Sequence, residues 1–205
     1  IAMSDPVDGK YVLIETKNGE TWNPLDTSKM PSAKEGEAAF AASGTCLIAQ
    51  GKKNAFLVSG GSDARVFRTN DRGKTWQVSE TPITKGTAGS GIFSIAMFDD
   101  KNGVIVGGNY EKPSDATNTL ATTDDGGKTW KAGSGFGGYR SGVAFLSRNI
   151  LVAVGTSGSE SSFNGGKSWA KSESWNFNAV QGRSNFAWAV GPSGLVARIG
   201  LATTH

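Results

Sequence analysis

A chain of 205 residues is the size of one domain or of a short array of repeated units, and its 29 glycines, about twice the average share, favour tight turns over helices. A net charge of +3, with no basic run longer than Lys52-Lys53, argues against a nucleic-acid partner, and no apolar run approaches the ~18 residues of a membrane span. The single histidine is the last residue, His205, which excludes a Ser-His-Asp triad or a multi-histidine metal centre unless the tail folds back; its position leaves open whether it is native or the start of a tag.

Taken from the N-terminus, no basic segment leads into an apolar core, so no targeting signal is visible. Four copies of one short phrase then follow, each ending in tryptophan: residues 15–22, 69–76, 123–130 and 162–169. The rule is Ser/Thr-x-Asp-x-Gly-x-Thr-Trp. Thr69, Asp71, Gly73 and Trp76 meet it, as do Thr123, Asp125, Gly127 and Trp130. Ser162, Asn164, Gly166 and Trp169 meet it with Asn for Asp, whereas Lys17 at the Asp position makes the first copy degenerate. An Asp or Asn here accepts backbone N–H bonds, Gly supplies the positive φ of the reversal, and Trp anchors the turn in an apolar layer. Recurrence in every unit marks Asp71 and Asp125 as fasteners rather than catalytic carboxylates.

Between these boxes run short apolar segments bounded by Gly, Asp and Asn. Residues 91–98, 103–108, 119–123 and 129–131 read as four strands, A to D, with the box joining C to D. The next unit repeats the order with 142–146, 150–155, a weaker strand near 160–163, and 168–170. Apolar residues occupy both alternating positions in many A and B strands, as in sheets covered on both faces. The expectation is an all-β fold, a β-propeller of four-stranded antiparallel blades, with about five partly incomplete blades in one domain over 1–205. The units fall near 1–26, 36–81, 90–133, 139–174 and 177–201. Cys46, alone and in an apolar stretch, reads as a buried inert thiol.

The boxes resemble the Asp-box, or BNR, repeats of sialidases and sortilin-like propellers. The phrases at 36–44, 91–97 and 139–145 are similar to bacterial relatives of the Ycf48 photosystem II assembly factor. That resemblance implies an extracytoplasmic or lumenal propeller of about seven blades whose photosynthetic members are non-enzymatic assembly chaperones. Against that plan both termini fall inside blades, so the chain is expected to be a fragment. Open sheet edges would then close on themselves or pair with another copy.

In an up-and-down blade the A–B turns and C–D boxes emerge at one end, and the B–C and D–A connections at the other. The second set is long here, at 23–35, 80–90 and 108–118, and binding is expected on that face. Glu37, Ser90, Tyr139, Arg140, Ser141 and Asn178 lie at the entry to inner strands and are the candidate binding residues. Arg140 could clamp a carboxylate, or it and Glu37 could satisfy each other or nearby backbone. The GxGxxG match at 133–138 reads as turn glycine, since it follows a strand and opens no helix. No catalytic residue, metal or cofactor is assigned. The expected function is a non-catalytic propeller that binds a protein or peptide. The alternative is a sialidase-like glycoside hydrolase drawing on Glu37, Asp63, Arg65, Tyr139 and Arg140, for which no signature assembles the residues.

Overall fold

The computed structural model describes residues 1–173 and 175–200; Ser174, the last position of the fifth expected unit and His205 lie outside the described residues. The first sheet joins β1 (Ala2–Val7), β2 (Lys10–Thr16) and β3 (Trp22–Pro24). After a two-residue strand, β4 (Glu37–Ala38), the second sheet runs β5 (Leu47–Gln50), β6 (Asn54–Val58), β8 (Arg65–Thr69) and β9 (Gln77–Glu80). Between β6 and β8 lies β7 (Gly60–Gly61). The third sheet is built on β10 (Ser90–Met97), β11 (Gly103–Asn109), β12 (Leu120–Thr123) and β13 (Lys131–Ala132). The fourth is β14 (Gly142–Phe145), β15 (Leu151–Gly155), β16 (Gly158–Ser162) and β17 (Ala170–Glu173), and the fifth is β18 (Ala179–Arg183), β19 (Phe186–Val190) and β20 (Val196–Gly200). Every ladder within these sheets is antiparallel, and the boxes connect third to fourth strands as the sequence predicts.

One departure concerns residues 36–44. The inner strand of the second sheet begins only at Leu47, while β4 and β7 add to the inner edge of the third sheet, giving the order β13-β12-β11-β10-β7-β4. Glycine makes this junction possible: a Cβ on Gly60 would lie 2.0 Å from the Phe40 ring, and one on Gly91, at φ 148°, would lie 2.2 Å from Gly60 Cα.

Consecutive sheets bury one another's faces. Tyr11 and Leu13 meet Leu57, Phe67 and Trp76; Phe56 and Val58 meet Ile92, Ile105 and Trp130. Val104, Val106 and Leu120 meet Val143, Leu151 and half-buried Trp169, and Val152 and Val154 meet Val180, Ala187 and Ala189. The inner strands β5, β10, β14 and β18 line a common cavity of about 210 Å³. At its edge Ser94 ties three sheets together, sharing a hydrogen bond with the Thr45 hydroxyl (2.6 Å) and accepting one from the Val143 amide (3.1 Å). Among the described residues no helix is long and apolar enough to cross a membrane.

Each box is a hydrogen-bonded knot. Thr69 Oγ1 accepts the Gly73 amide at 3.0 Å and donates to Asp71 at 2.8 Å, and Asp71 accepts the Thr75 amide (2.9 Å) and hydroxyl (2.6 Å). Thr123, Asp125, Gly127 and Thr129 repeat these contacts, and Ser162, Asn164, Gly166 and Ser168 do so with an amide donating the hydroxyl contact. The indole N–H of Trp76 and of Trp169 donates to its own box's Gly73 or Gly166 carbonyl. At the third box the Ser79 hydroxyl of the preceding sheet takes the Gly127 carbonyl instead (2.9 Å), leaving the Trp130 N–H without a partner.

The first box corrects the sequence reading. Its working pair is Thr16 and Asn18, one position later than the rule places them: Gly19 donates to Thr16 (2.8 Å), and Glu20 and Thr21 donate to Asn18 (3.0 and 2.9 Å). Lys17 is therefore not the fastener, and the box is a residue shorter rather than degenerate. Trp22, with no sheet before it among the described residues, is 46% exposed, against 5% for Trp76 and 8% for Trp130.

Two outcomes follow in urea unfolding. Trp130→Ala removes a ring packed between sheets and should cost about 3–5 kcal/mol, whereas Trp22→Ala should cost far less. The Thr75 hydroxyl and amide hold Asp71 down to about 2, and the Asn102 and Lys101 amides do the same for Asp99. A carboxyl depressed in the folded state stabilises fully above its unfolded value of about 3.9 and loses that contribution as pH falls through the folded one. The urea midpoint should therefore change little from pH 7 to 5 and fall as pH drops from about 4 towards 2.

Candidate functional site

The long connections gather at the strand ends opposite the boxes. Of the six candidate residues there, five are buried. Glu37 accepts from Arg65 Nε at 3.0 Å, from the Arg65 guanidinium a second time, from the Ser59 hydroxyl, and from the Lys34 amide at 2.8 Å. Arg65 also donates to the Ser32 carbonyl at 2.9 Å and lies over the Phe67 ring. Arg140, 1% exposed, forms a two-pronged pair with Glu160 and donates to the Tyr139 carbonyl (2.6 Å) and Ser157 hydroxyl (2.8 Å). The second Glu160 oxygen also takes the Gly137 amide at 3.1 Å.

Ser90 closes a turn with Thr87, accepting its amide and donating to its carbonyl, both at 3.0 Å. Ser141 donates to the Asn178 carbonyl at 2.7 Å, and the side chain of Asn178 alone is exposed. Arg140 and Glu37 are thus satisfied by Glu160 and Arg65 and by nearby backbone, the Tyr139 carbonyl and the Lys34 amide, rather than by each other. A charged group wholly inside the protein with all its hydrogen bonds made is a structural strut.

What reaches solvent is the outer part of an aromatic cluster, Tyr110 and part of Phe40, over the buried rings of Phe93 and Tyr139. Phe40, half-buried, stacks on Phe93 with ring centres 4.0 Å apart, and Tyr139 and Tyr110 meet Phe93 edge-on at 4.8 and 6.2 Å. Tyr110, in the β11–β12 connection, is 49% exposed. On the same end of the second sheet stands a charged cluster. Lys34 and Lys85 both pair with buried Asp63, and each reaches exposed Glu80 at 3.2 Å. Burial opposes ionisation of Asp63, but hydrogen bonds from the two lysines and the Ala64 amide outweigh it and hold the carboxyl at about 2. The Tyr139 phenol is pushed up to about 12, chiefly by burial. Cys46 is buried and its thiol pKa raised for the same reason.

Sequence reasoning named Tyr139 and Asp63 but not Phe40, Phe93 or the Glu160 that pairs with Arg140. Phe40 and Phe93 read as strand core, and Glu160 sits in a polar strand, Ser159 to Ser162, whose only signal is the box that follows. Asp99 caps its own turn through the Lys101 and Asn102 amides at 2.9 and 2.7 Å, and residues 133–138 form a connection between strands with no helix after them.

Residues 121–132 match the BNR/Asp-box repeat family. No curated protein matches the sequence. Among solved structures, YCF48 bound to D1 peptide is similar over 96% of this chain and 59% of that chain, with a TM-score of 0.56 at 19% identity. The computationally designed Ika4 protein is similar over 77% of this chain and 91% of its own, with a TM-score of 0.51 at 17% identity. YCF48 from Cyanidioschyzon merolae aligns over 94% and 78%, with a TM-score of 0.44 at 16% identity. The chain spans about 59% of the length of the first of these. The chain thus carries an Asp-box repeat at residues 121–132, and its all-β fold of antiparallel propeller-like blades resembles that of YCF48.

The buried pair separates structure from binding. Arg140→Ala leaves Glu160 charged and unpaired inside the protein and should cost about 3–5 kcal/mol in urea unfolding. Joint replacement, Arg140→Met with Glu160→Leu, should recover most of that loss.

Proposed function

We propose that this chain is a non-catalytic scaffold that binds a protein or peptide segment on its long-loop face. The observation that carries the reading is the aromatic cluster in which half-exposed Tyr110 and half-buried Phe40 cover the buried rings of Phe93 and Tyr139. Rings held in place by packing lose little entropy when a ligand lands on them, and Lys34, Lys85 and Glu80 offer charged partners to a polar backbone or side chain. In this reading Glu37, Ser90, Tyr139, Arg140 and Ser141 hold the rim, and Tyr110 and Asn178 meet the ligand. YCF48, which this fold resembles, has been solved bound to D1 peptide, which supports the class of ligand. The same likeness supports an extracytoplasmic location.

Hydrolysis finds less support in the chemistry. An acid catalyst near neutral pH needs a raised carboxyl pKa, and Asp63 is held at about 2. The Tyr139 phenol, pushed up to about 12, is a poor nucleophile.

Panning a random peptide library against the protein, followed by affinity measurement on the selected peptides, tests the reading. Tyr110→Ala should weaken selected peptides about tenfold, roughly 1.4 kcal/mol, with an unchanged urea midpoint. Selected peptides that bind equally well to Tyr110→Ala, and compete with nothing on the long-loop face, would contradict it.

A further inference from the structure

At the box end of the strands, successive boxes leave clefts between them. One of about 320 Å³ opens between the second and third sheets; its walls are the end of β8 with the start of the second box, and the β10–β11 turn with the third box. Another, of about 270 Å³, repeats the arrangement between the third and fourth sheets. Both walls of each cleft come from neighbouring, fully formed sheets in the middle of the array. In the cleft between the third and fourth sheets, two of the three cations are paired within the protein, Lys131 with Asp124 at 2.9 Å and Arg148 with Asp99 at 3.0 Å.

The cleft between the second and third sheets is built differently. Arg68 stands on β8 directly opposite Phe56 of β6, and cross-strand neighbours share one face of a sheet. A Cβ on Gly127 of the third box would lie 3.3 Å from the Phe56 ring, so this face is the one turned to the third sheet. The corresponding positions of the next two sheets hold the small residues Thr122 and Ser161. Half-buried Arg68 makes no hydrogen bond or ion pair among the described residues, and its Nε–H is buried without an acceptor. The side chains of Lys101 and Lys128 on the facing wall are unpaired as well among the described residues. Of the two carboxylates in the cleft, Asp125 spends its oxygens on its own box, and Asp100 accepts from the Asn54 amide group at 3.1 Å. A guanidinium withdrawn from water with its hydrogen bonds unmade costs stability until an acceptor arrives.

We infer that this cleft is a binding site for a carboxylate, presented by a glutamate or aspartate side chain of an acidic peptide segment. Arg68 supplies two parallel N–H bonds, and Lys101 and Lys128 flank the bound charge. A planar guanidinium matches a carboxylate in this two-pronged way, and such charge-assisted bonds are the strong ones. Three cations against two carboxylates leave one net positive charge in the cleft, which a single carboxylate balances and a phosphate dianion would exceed. The site lies at the opposite end of the strands from the long loops and does not rest on the reading given for that face.

The test is an NMR titration of the ¹⁵N-labelled protein at pH 7 and low ionic strength, where exposed charges are least screened. The probes are acetyl-Ser-Glu-Ser-amide, the same peptide with glutamine for glutamate, and inorganic phosphate. With the glutamate peptide, the Arg68 Nε–H and the Lys101 and Gly126 amides should shift together and saturate with a Kd below about 10 mM, and the glutamine peptide should bind at least about tenfold more weakly. Arg68→Gln should abolish the saturable shift with no fall in the urea midpoint. Should that variant unfold, joint replacement of Lys101→Ala and Lys128→Ala should weaken binding about threefold or more and leave the Arg68 signal in place. Absence of saturation, equal binding of both peptides, or binding indifferent to folded Arg68→Gln would overturn the inference. Tighter binding of phosphate than of the glutamate peptide would also overturn it, assigning the cleft to a free anion. So would shifts spread equally over Lys52, Lys53 and Lys74, the signature of diffuse attraction to a basic surface.

Discussion

The structure depends on the seating of each box tryptophan on the sheet before it. A strand of two to eight residues cannot hold a sheet together alone, and β13 consists of Lys131 and Ala132 only. The box supplies what the strand lacks. Its hydroxyl and carboxylate use up the backbone donors of a tight turn, and the turn carries an indole into the apolar layer between two sheets. Gly127 and Gly166 are part of the same device, since both sit at positive φ with a neighbouring sheet's side chain against them. Stability is therefore handed along the chain from one interface to the next, as in other repeat arrays. Trp22 is consistent with this: its box is intact, no sheet precedes it among the described residues, and its ring is 46% exposed.

A second constraint acts at the opposite end of the strands, where charge is buried instead of ring. Arg65 with Glu37, and Arg140 with Glu160, pin the long connections to the sheets through fully paired ions. Such pairs add little net stability over apolar packing, but losing one partner is costly, so they fix where the loops lie. That rigidity sets the Phe40–Phe93 stack and the Lys34–Asp63–Lys85 cluster at a defined surface. The residues that the sequence offers as binding candidates are thus mostly buried and paired, and in the proposed reading it is Tyr110 above them that meets a ligand.

The architecture was legible because its signals are local. The spacing of the tryptophans, the glycines before them and the apolar runs between are each set within a few residues, and they place three of the four boxes and most of the strand order. What escaped the sequence is set across the fold. Glu37 finds Arg65 and Arg140 finds Glu160 because two loops and two strands converge, which no spacing announces. The β4–β7 addition depends on Gly60 and Gly91 passing within a side chain's width of each other. The first box was misplaced by counting back from Trp22, although Thr16, Asn18 and Gly19 carry the chemistry one position along. For the candidate site, loop length is the signal on which the proposed face rests, and it says nothing of the aromatic cluster formed by Phe40, Phe93, Tyr110 and Tyr139.

Native-state hydrogen exchange of the box amides tests the seating of the boxes most directly. The Gly73, Gly127 and Gly166 amides all donate to a box hydroxyl and are buried, whereas the Gly19 amide makes the same bond in an exposed box. If the preceding sheet stabilises each box, the first three should exchange only through large-scale opening, with Gly19 faster by orders of magnitude. Equal protection at all four would mean that the knots hold by their own hydrogen bonds, and that the tryptophan seat is not what the fold depends on.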